Sequence, residues 1–132
     1  MIVTRGRIHD AAILPGFVAV RQTRRVGLAT YVLDDDQCEL LTLNSIVENI
    51  GVGTALIEAV KAAARAEHCR RLWLVTTNDN LAALRFYQKR GLHLLAVHRD
   101  AVEHSRELKP EIPSIGLDGI PLRDEIELEQ LL

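Results

Sequence analysis

Aromatic residues are scarce in this chain of 132 residues, which holds one Trp, two Tyr and two Phe. Cysteine is scarcer still: Cys38 and Cys69 are the two present, and no CxxC spacing links them. So thin a cysteine set excludes a disulfide-stapled secreted scaffold and reads as two half-buried thiols in a reducing cytosol. Long apolar runs are missing too. No stretch nears the roughly 18 residues of a membrane span, and Met1-Ile2-Val3-Thr4-Arg5-Gly6-Arg7 is too polar and broken for a secretory leader. Neither sign of charge dominates: 16 Lys and Arg stand against 18 Asp and Glu, for a net charge of -2. The basic residues scatter, with short pairs such as Arg24-Arg25 and Arg70-Arg71, so no nucleic-acid or membrane surface is expected. The five His lack metal-ligand spacing, and His93 and His98, on one strand, are expected to face opposite sides. These absences leave a cytoplasmic protein with one domain over residues 1–132, long enough for a single core.

What is present begins with three β-rich runs, Phe17–Gln22, Val26–Leu33 and Cys38–Ile46. Short polar turns separate them, as in consecutive antiparallel strands. The period then changes. From Gly51 to about Glu67, Val52, Ala55, Leu56, Ala59, Val60 and Ala63 fall on one helical face. Leu72–Thr77 is a continuous apolar run suited to a buried strand. Asn78-Asp79-Asn80 can cap a second helix, Leu81–Arg90, that stops at Gly91, and Leu92–His98 is a further strand. The segment Cys38–Thr77 is thus a βαβ crossover with parallel strands and a right-handed connection. Beyond it, Asp100–Leu108 reads as a short helix, Lys109–Pro121 as a long loop and Asp124–Glu129 as an edge strand.

Chemistry concentrates at Gly51-x-Gly53, where a strand turns into a helix. The first turn of a helix carries unpaired N–H donors and partial positive charge, and glycine lets an anion come close. A dinucleotide fingerprint would need a third glycine where Leu56 stands, and a P-loop would need Gly-Lys-Ser/Thr. Phosphate binding by the turn and mere tight packing of strand on helix both remain open. On the second helix, Asn80, Ala83 and Tyr87 share a face, setting an amide, a small residue and a phenol in line.

Together these residues resemble the GNAT superfamily of N-acetyltransferases. One signature of that family is a strand with an aliphatic residue, then Gln/Arg-x-x-Gly-x-Gly/Ala opening a helix. Leu43 takes the aliphatic place, Gly51 and Gly53 the glycines, and Glu48 stands where Gln or Arg is usual. The second is Asn-x-x-Ala-x-x-x-Tyr-x-x-x-Gly-(Phe/Leu), matched by Asn80, Ala83, Tyr87, Gly91 and Leu92. The resemblance covers about Phe17 to His98. It implies a single-domain α/β fold, a mixed and mostly antiparallel sheet with the βαβ crossover at its centre. It further implies acetyl-CoA as donor and a primary amine, on a small molecule or a protein, as acceptor. In that frame Leu43, Asn44 and Ser45 contact pantetheine through the backbone, Leu43 also polarising the thioester carbonyl. Glu48, Asn49, Ile50, Gly51, Val52, Gly53 and Thr54 hold the pyrophosphate. Asn80 and Ala83 line the pantetheine, and Tyr87 points at the sulfur.

The chain also departs from the family. Glu48, Asn49 and Ile50 remove positive charge from the phosphate turn, and Val75 fills the slot where several members place a catalytic Glu. Glu39, on the face of Leu43 by strict alternation, is the nearest carboxylate for a base, or else an exposed strand-edge residue. Tyrosine near ~10 and thiol near ~8.5 make proton donation to the leaving group mildly uphill. Sixteen residues precede Phe17, where the family usually has two helices walling the acceptor site, so that site is open or closed by a partner chain, as in a homodimer. The loop Lys109–Pro121 is expected to form one wall of it. The rival to an enzyme is a non-catalytic CoA-binding regulatory module.

Overall fold

The computed structural model describes residues 2–5, 7–9, 14–46 and 51–132, with only the backbone of Val3 and Ile8. A small hairpin comes first, β1 (Ile2–Thr4) against β2 (Arg7–His9), which no pattern in the sequence announced. A meander follows: β3 (Gly16–Arg21), β4 (Arg24–Asp34) and β5 (Gln37–Ser45). After it run α1 (Val52–Ala66), β6 (Arg71–Thr77), α2 (Leu81–Lys89), β7 (His93–His98) and α3 (Ala101–Leu108). A 3-10 turn at Leu117–Gly119 and β8 (Glu125–Leu131) complete the chain. The six-stranded sheet has the order β3-β4-β5-β6-β8-β7. Residues 11–73 with 131–132 form one compact unit, and residues 1–10 with 74–130 the other. Among the described residues no helix is long and apolar enough to cross a membrane.

In the unit of residues 11–73, β3, β4 and β5 pair antiparallel, and β5 pairs parallel with the start of β6. This is the expected crossover, with α1 as its helix. Leu56, Ile57, Val60 and Ala64 recur every three to four residues along α1 and are buried, each larger side chain stabilising by about 1.5–3 kcal/mol. Lys61 lies in the same stripe, its stem buried and its ammonium 3.2 Å from the Glu58 carboxylate. The helix stops where His68 turns left-handed and the Cys69 N–H donates to the Ala64 carbonyl at 2.9 Å. Cys38 and Cys69 are both buried, deeper than half-buried thiols.

In the other unit, β7 pairs antiparallel with β8, and β8 lies between β7 and β6. The final strand is therefore interior to the sheet and not an edge. Its alternating charges misled the reading: Glu125 is 4% exposed and Leu128 fully buried, so both faces of β8 are largely covered. The loop over 109–121 is pinned by side chains. Arg106 donates to the carbonyls of Ile112, Pro113 and Leu122, and the Asn78 Nδ2 donates to that of Pro121 at 2.9 Å. The Asp79 Oδ2 accepts the Leu117 N–H at 2.8 Å, and a Cβ on Gly116 would sit 2.1 Å from that same oxygen.

Three β-bulges set which side chains share a face. Val26 is the extra residue of β4 opposite Ala19 and Val20, Leu41 that of β5 opposite Thr30 and Tyr31, and Leu95 that of β7 opposite Glu127 and Leu128. Each inverts the alternation beyond it.

Candidate functional site

The phosphate-binding half of the expected site lies in the unit of residues 11–73. Glu48, Asn49 and Ile50 fall outside the described residues. Gly51 caps α1 at φ 81°, the left-handed region, with its carbonyl accepting the Ala55 N–H at 2.9 Å. A side chain there would pay the left-handed penalty of roughly 1–2 kcal/mol, although a Cβ would meet no atom within 4 Å. Among the described residues the need for glycine is thus conformational. Among the described residues no side chain caps α1 and its first turn holds no acid, so the partial positive charge of the helix start suits an anion. Val52, Gly53 and Thr54 are part of that turn and half-buried.

Sequence reasoning missed two cations here. A groove of about 510 Å³ has Arg21 and Gly51 among its walls, and a second of about 340 Å³ is lined by Arg25 and Asn44. Arg21 shares its groove with the start of α1, whereas Arg25 borders the groove beside Asn44. Basic residues on both sides of the turn at Gln22-Thr23 were the signal, and scattered surface charge was the reason to pass over them.

Upstream, Leu43, Asn44 and Ser45 pair with Ala29, Leu28 and Gly27 of β4. On its other edge β5 pairs with β6 only through Gln37↔Arg71, Cys38↔Leu72 and Glu39↔Trp73. From Leu40 to Asn44 the strand therefore has β4 as its one strand partner among the described residues, and the bulge at Leu41 lies in this stretch. Backbone donors along such an edge are available to a polar ligand.

Glu39 does not share a face with Leu43. The extra residue at Leu41 inverts the alternation, so Glu39 lies on the face of Thr42 and Asn44, while Leu43 lies with Leu40 and Cys38. Nor is it an exposed strand-edge side chain, being 3% exposed. The bulge corrects the first expectation for Glu39 and its burial the second.

Asn80, Ala83 and Tyr87, expected at the pantetheine and the sulfur, lie in the other unit, on α2. Asn80 is the N-cap, its Oδ1 accepting the Ala83 N–H at 3.1 Å. Gly91 at φ 99° and the Leu92 N–H on the Tyr87 carbonyl close the far end. Ala83 and Tyr87 are half-buried, and the Tyr87 ring meets Phe86 edge-on at 5.3 Å. Burial pushes the Tyr87 phenol up to about 12, so the mildly uphill proton donation expected from an ordinary tyrosine becomes steeply uphill.

His93 and His98, expected on opposite sides, share a face. The bulge at Leu95 puts them opposite Glu129 and Glu125, four residues apart on β8. At about 3.4 Å per residue they stand too far apart for one metal ion.

The model of the Acetyltransferase (GNAT) family matches residues 5–92. Two proteins of Bacillus subtilis (strain 168), both described as uncharacterized, are similar in sequence. YdhI is 47% identical over 120 residues, 90% of this chain and 75% of its own length, and YxbD is 43% identical over 129 residues, 97% and 80%. Among solved structures, an IAA acetyltransferase from Bacillus cereus ATCC 14579 matches with a TM-score of 0.76 at 22% identity, over 87% of this chain and 75% of that one. An Elizabethkingia anophelis GNAT acetyltransferase with acetyl-CoA bound matches with a TM-score of 0.74 at 23% identity, over 87% and 74%. At these identities the likeness is one of fold.

Proposed function

Since the chain belongs to the acetyltransferase (GNAT) family, we propose that it moves the acetyl group of acetyl-CoA onto a primary amine by direct attack, in the cytoplasm. One observation carries the reading: among the described residues β5 pairs with β6 only as far as Glu39, and the chain then runs to a helix opened by left-handed Gly51 with no acid in its first turn. A backbone edge suits the amides of pantetheine, and an uncapped helix start suits pyrophosphate. Leu43, Asn44 and Ser45 take the pantetheine and thioester. Gly51, Val52, Gly53 and Thr54 take the pyrophosphate together with Glu48, Asn49 and Ile50, which precede them in the chain, and Arg21 adds charge. Asn80 and Ala83 complete the donor contacts.

The reaction asks little of side chains. A neutral amine attacks the thioester carbonyl, an oxyanion forms, and the thiolate leaves. Backbone donors aimed at that oxyanion, together with proximity, supply most of the acceleration. Tyr87 stabilises the departing sulfur by a hydrogen bond. Glu39, buried and turned from the face of Leu43, is a weak candidate for the base. The loop over 109–121 borders the acceptor, a role that suits an ordered loop pinned at Asn78 and Asp79 just before α2. A homodimer closing the acceptor side belongs to the same reading, and light scattering measures it directly.

Calorimetric titration of CoA, followed by thiol release from acetyl-CoA with an amine panel, tests the proposal. Binding together with amine-dependent release is expected. Binding without release on any amine would make the chain a CoA-binding regulatory module, and absence of binding would remove the donor site itself.

A further inference from the structure

We infer that His98, held by Glu127, is the base that deprotonates the acceptor, and that the acceptor is an alkylammonium; the inference rests on the acetyl-transfer reading above. The His98 Nε2 lies 2.8 Å from the Glu127 Oε1. The ring side chain is 24% exposed and the carboxylate 14%, so the pair is substantially desolvated yet reachable. A carboxylate can only accept, so with a neutral ring Nε2 carries the hydrogen and the lone pair sits at Nδ1. That is the arrangement of an oriented base: one nitrogen anchored, the other open to take a proton.

The surroundings favour a cation. Alternation places Glu125, Glu127 and Glu129 on one face of β8, and register sets His98 opposite Glu125 and His93 opposite Glu129. Glu125 is buried, with the Arg5 N–H on its Oε2 at 3.3 Å and the Arg5 guanidinium 3.5 Å from its Oε1. The charged groups near the ring are therefore Glu125 and Glu127 of β8, Arg5 from the β1–β2 turn, Arg99 next in the chain, and Asp100, Arg123 and Asp124 between the strand ends, four carboxylates against three guanidiniums. The carboxylates outnumber the guanidiniums, which draws an ammonium and not an anion.

The pair also lies beside the slot where the sequence offers no base. The Asn78 N–H donates to the Asp124 carbonyl at 3.0 Å, and β6 and β8 are neighbours in the sheet. Counting three residues inward along both strands from that bond brings Glu127 beside Val75. A carboxylate missing at Val75 is thus supplied from the adjacent strand, with an imidazole attached.

An alkylamine near pKa ~10.4 is almost wholly protonated at neutral pH, so it needs such a base, whereas an α-amine near ~8 needs it less. The ammonium gives one proton to Nδ1, and its nitrogen then attacks the thioester carbonyl. The C–N bond forms and the C–S bond breaks. The second nitrogen proton ends on the thiolate, and the imidazolium releases the first to solvent. One acetyl-CoA and one ammonium thus yield one amide, one CoA thiol and one proton.

The test compares wild type, His98→Gln and Glu127→Gln in kcat/KM for an alkylamine across pH, with CoA titration and melting of the same preparations. For His98→Gln at neutral pH a loss of about 10²–10⁴-fold is expected with CoA affinity unchanged. Its rate should climb about tenfold per pH unit as the amine deprotonates itself, and a substrate with an α-amine should suffer less. Glu127→Gln, which keeps a hydrogen-bonding partner for the ring, should lose less and move the acid limb of the profile. A folded His98→Gln protein with the wild-type profile overturns the inference and leaves acetyl transfer standing. Should His98→Gln fail to fold, an unmoved acid limb in Glu127→Gln overturns it equally. A wild type that binds CoA but acetylates no amine overturns both readings.

Discussion

Removing the hydroxyl of Tyr87 isolates what that group does for the leaving thiolate. With the phenol pushed up to about 12 by burial and a thiol near ~8.5, full proton transfer is uphill by about 3.5 pH units, or roughly 5 kcal/mol. Tyr87 therefore acts as a hydrogen-bond donor to developing negative charge and not as an acid that hands over its proton. Hydrogen bonds to charged groups contribute about 1.5–3 kcal/mol, so Tyr87→Phe should lower kcat by roughly 10–150-fold. The ring and its edge-on contact with Phe86 stay, so KM for acetyl-CoA should change little and the melting temperature by a few degrees at most. The same burial predicts that Tyr87 contributes no basic limb to the rate below about pH 11. Steady-state thiol release from pH 7 to 10, with calorimetry on the same protein, reads all three quantities. A Tyr87→Phe enzyme with normal kcat and reduced stability would show that the hydroxyl serves packing alone, and a wild-type limb near 10 that vanishes in the variant would refute the burial argument.

Gly51→Val should weaken CoA binding at least tenfold and lower stability by about 1–2 kcal/mol through the left-handed φ, whereas Gly51→Asn, tolerant of that φ, should weaken binding while keeping most of the stability; titration and melting of the two separate ligand contact from backbone strain. Gly116→Ala should destabilise by about 1–3 kcal/mol, because its Cβ would collide with the Asp79 Oδ2 and break the bond that pins the loop, and chemical denaturation measures this. Stability should also fall in alkali. The folded state holds Tyr87 and Cys38 at about 12, against 10.0 and 9.0 unperturbed, so between those values the unfolded chain loses protons that the folded chain keeps. The sign is a stability that is level below about pH 9 and declines toward 12, with about 3 kcal/mol at stake for Tyr87 alone; denaturant midpoints from pH 8 to 11 check it, and a flat profile contradicts it.

Much of the fold was legible because periodicity is a local signal. The stripe of Leu56, Val60 and Ala63 marked α1, the cap at Asn80 and stop at Gly91 marked α2, and the change of period after Ile46 marked the crossover. The bulges were not legible. One extra residue at Leu41 or Leu95 costs a strand little and leaves no trace in composition, yet it moved Glu39 off the face of Leu43 and put His93 and His98 on one face. The place of β8 also escaped: alternating charge suggests an edge, but Glu125 and Glu127 are held by Arg5 and His98, partners distant in sequence. For the same reason Arg21 and Arg25 read as surface charge. Their meaning depends on the grooves they line, Arg21 beside the start of α1 and Arg25 beside Asn44, and those are fixed by tertiary contact.

Acetyl transfer to nitrogen is tested most directly by incubating the protein with acetyl-CoA and an alkylamine and counting both products. Mass spectrometry of the amine and thiol titration of CoA should give one N-acetyl group per thiol released, at a rate set by both substrates. Thiol release that proceeds without the amine or without amide formation would contradict transfer to nitrogen, and a protein that holds CoA while leaving the amine unchanged would be a binding module instead.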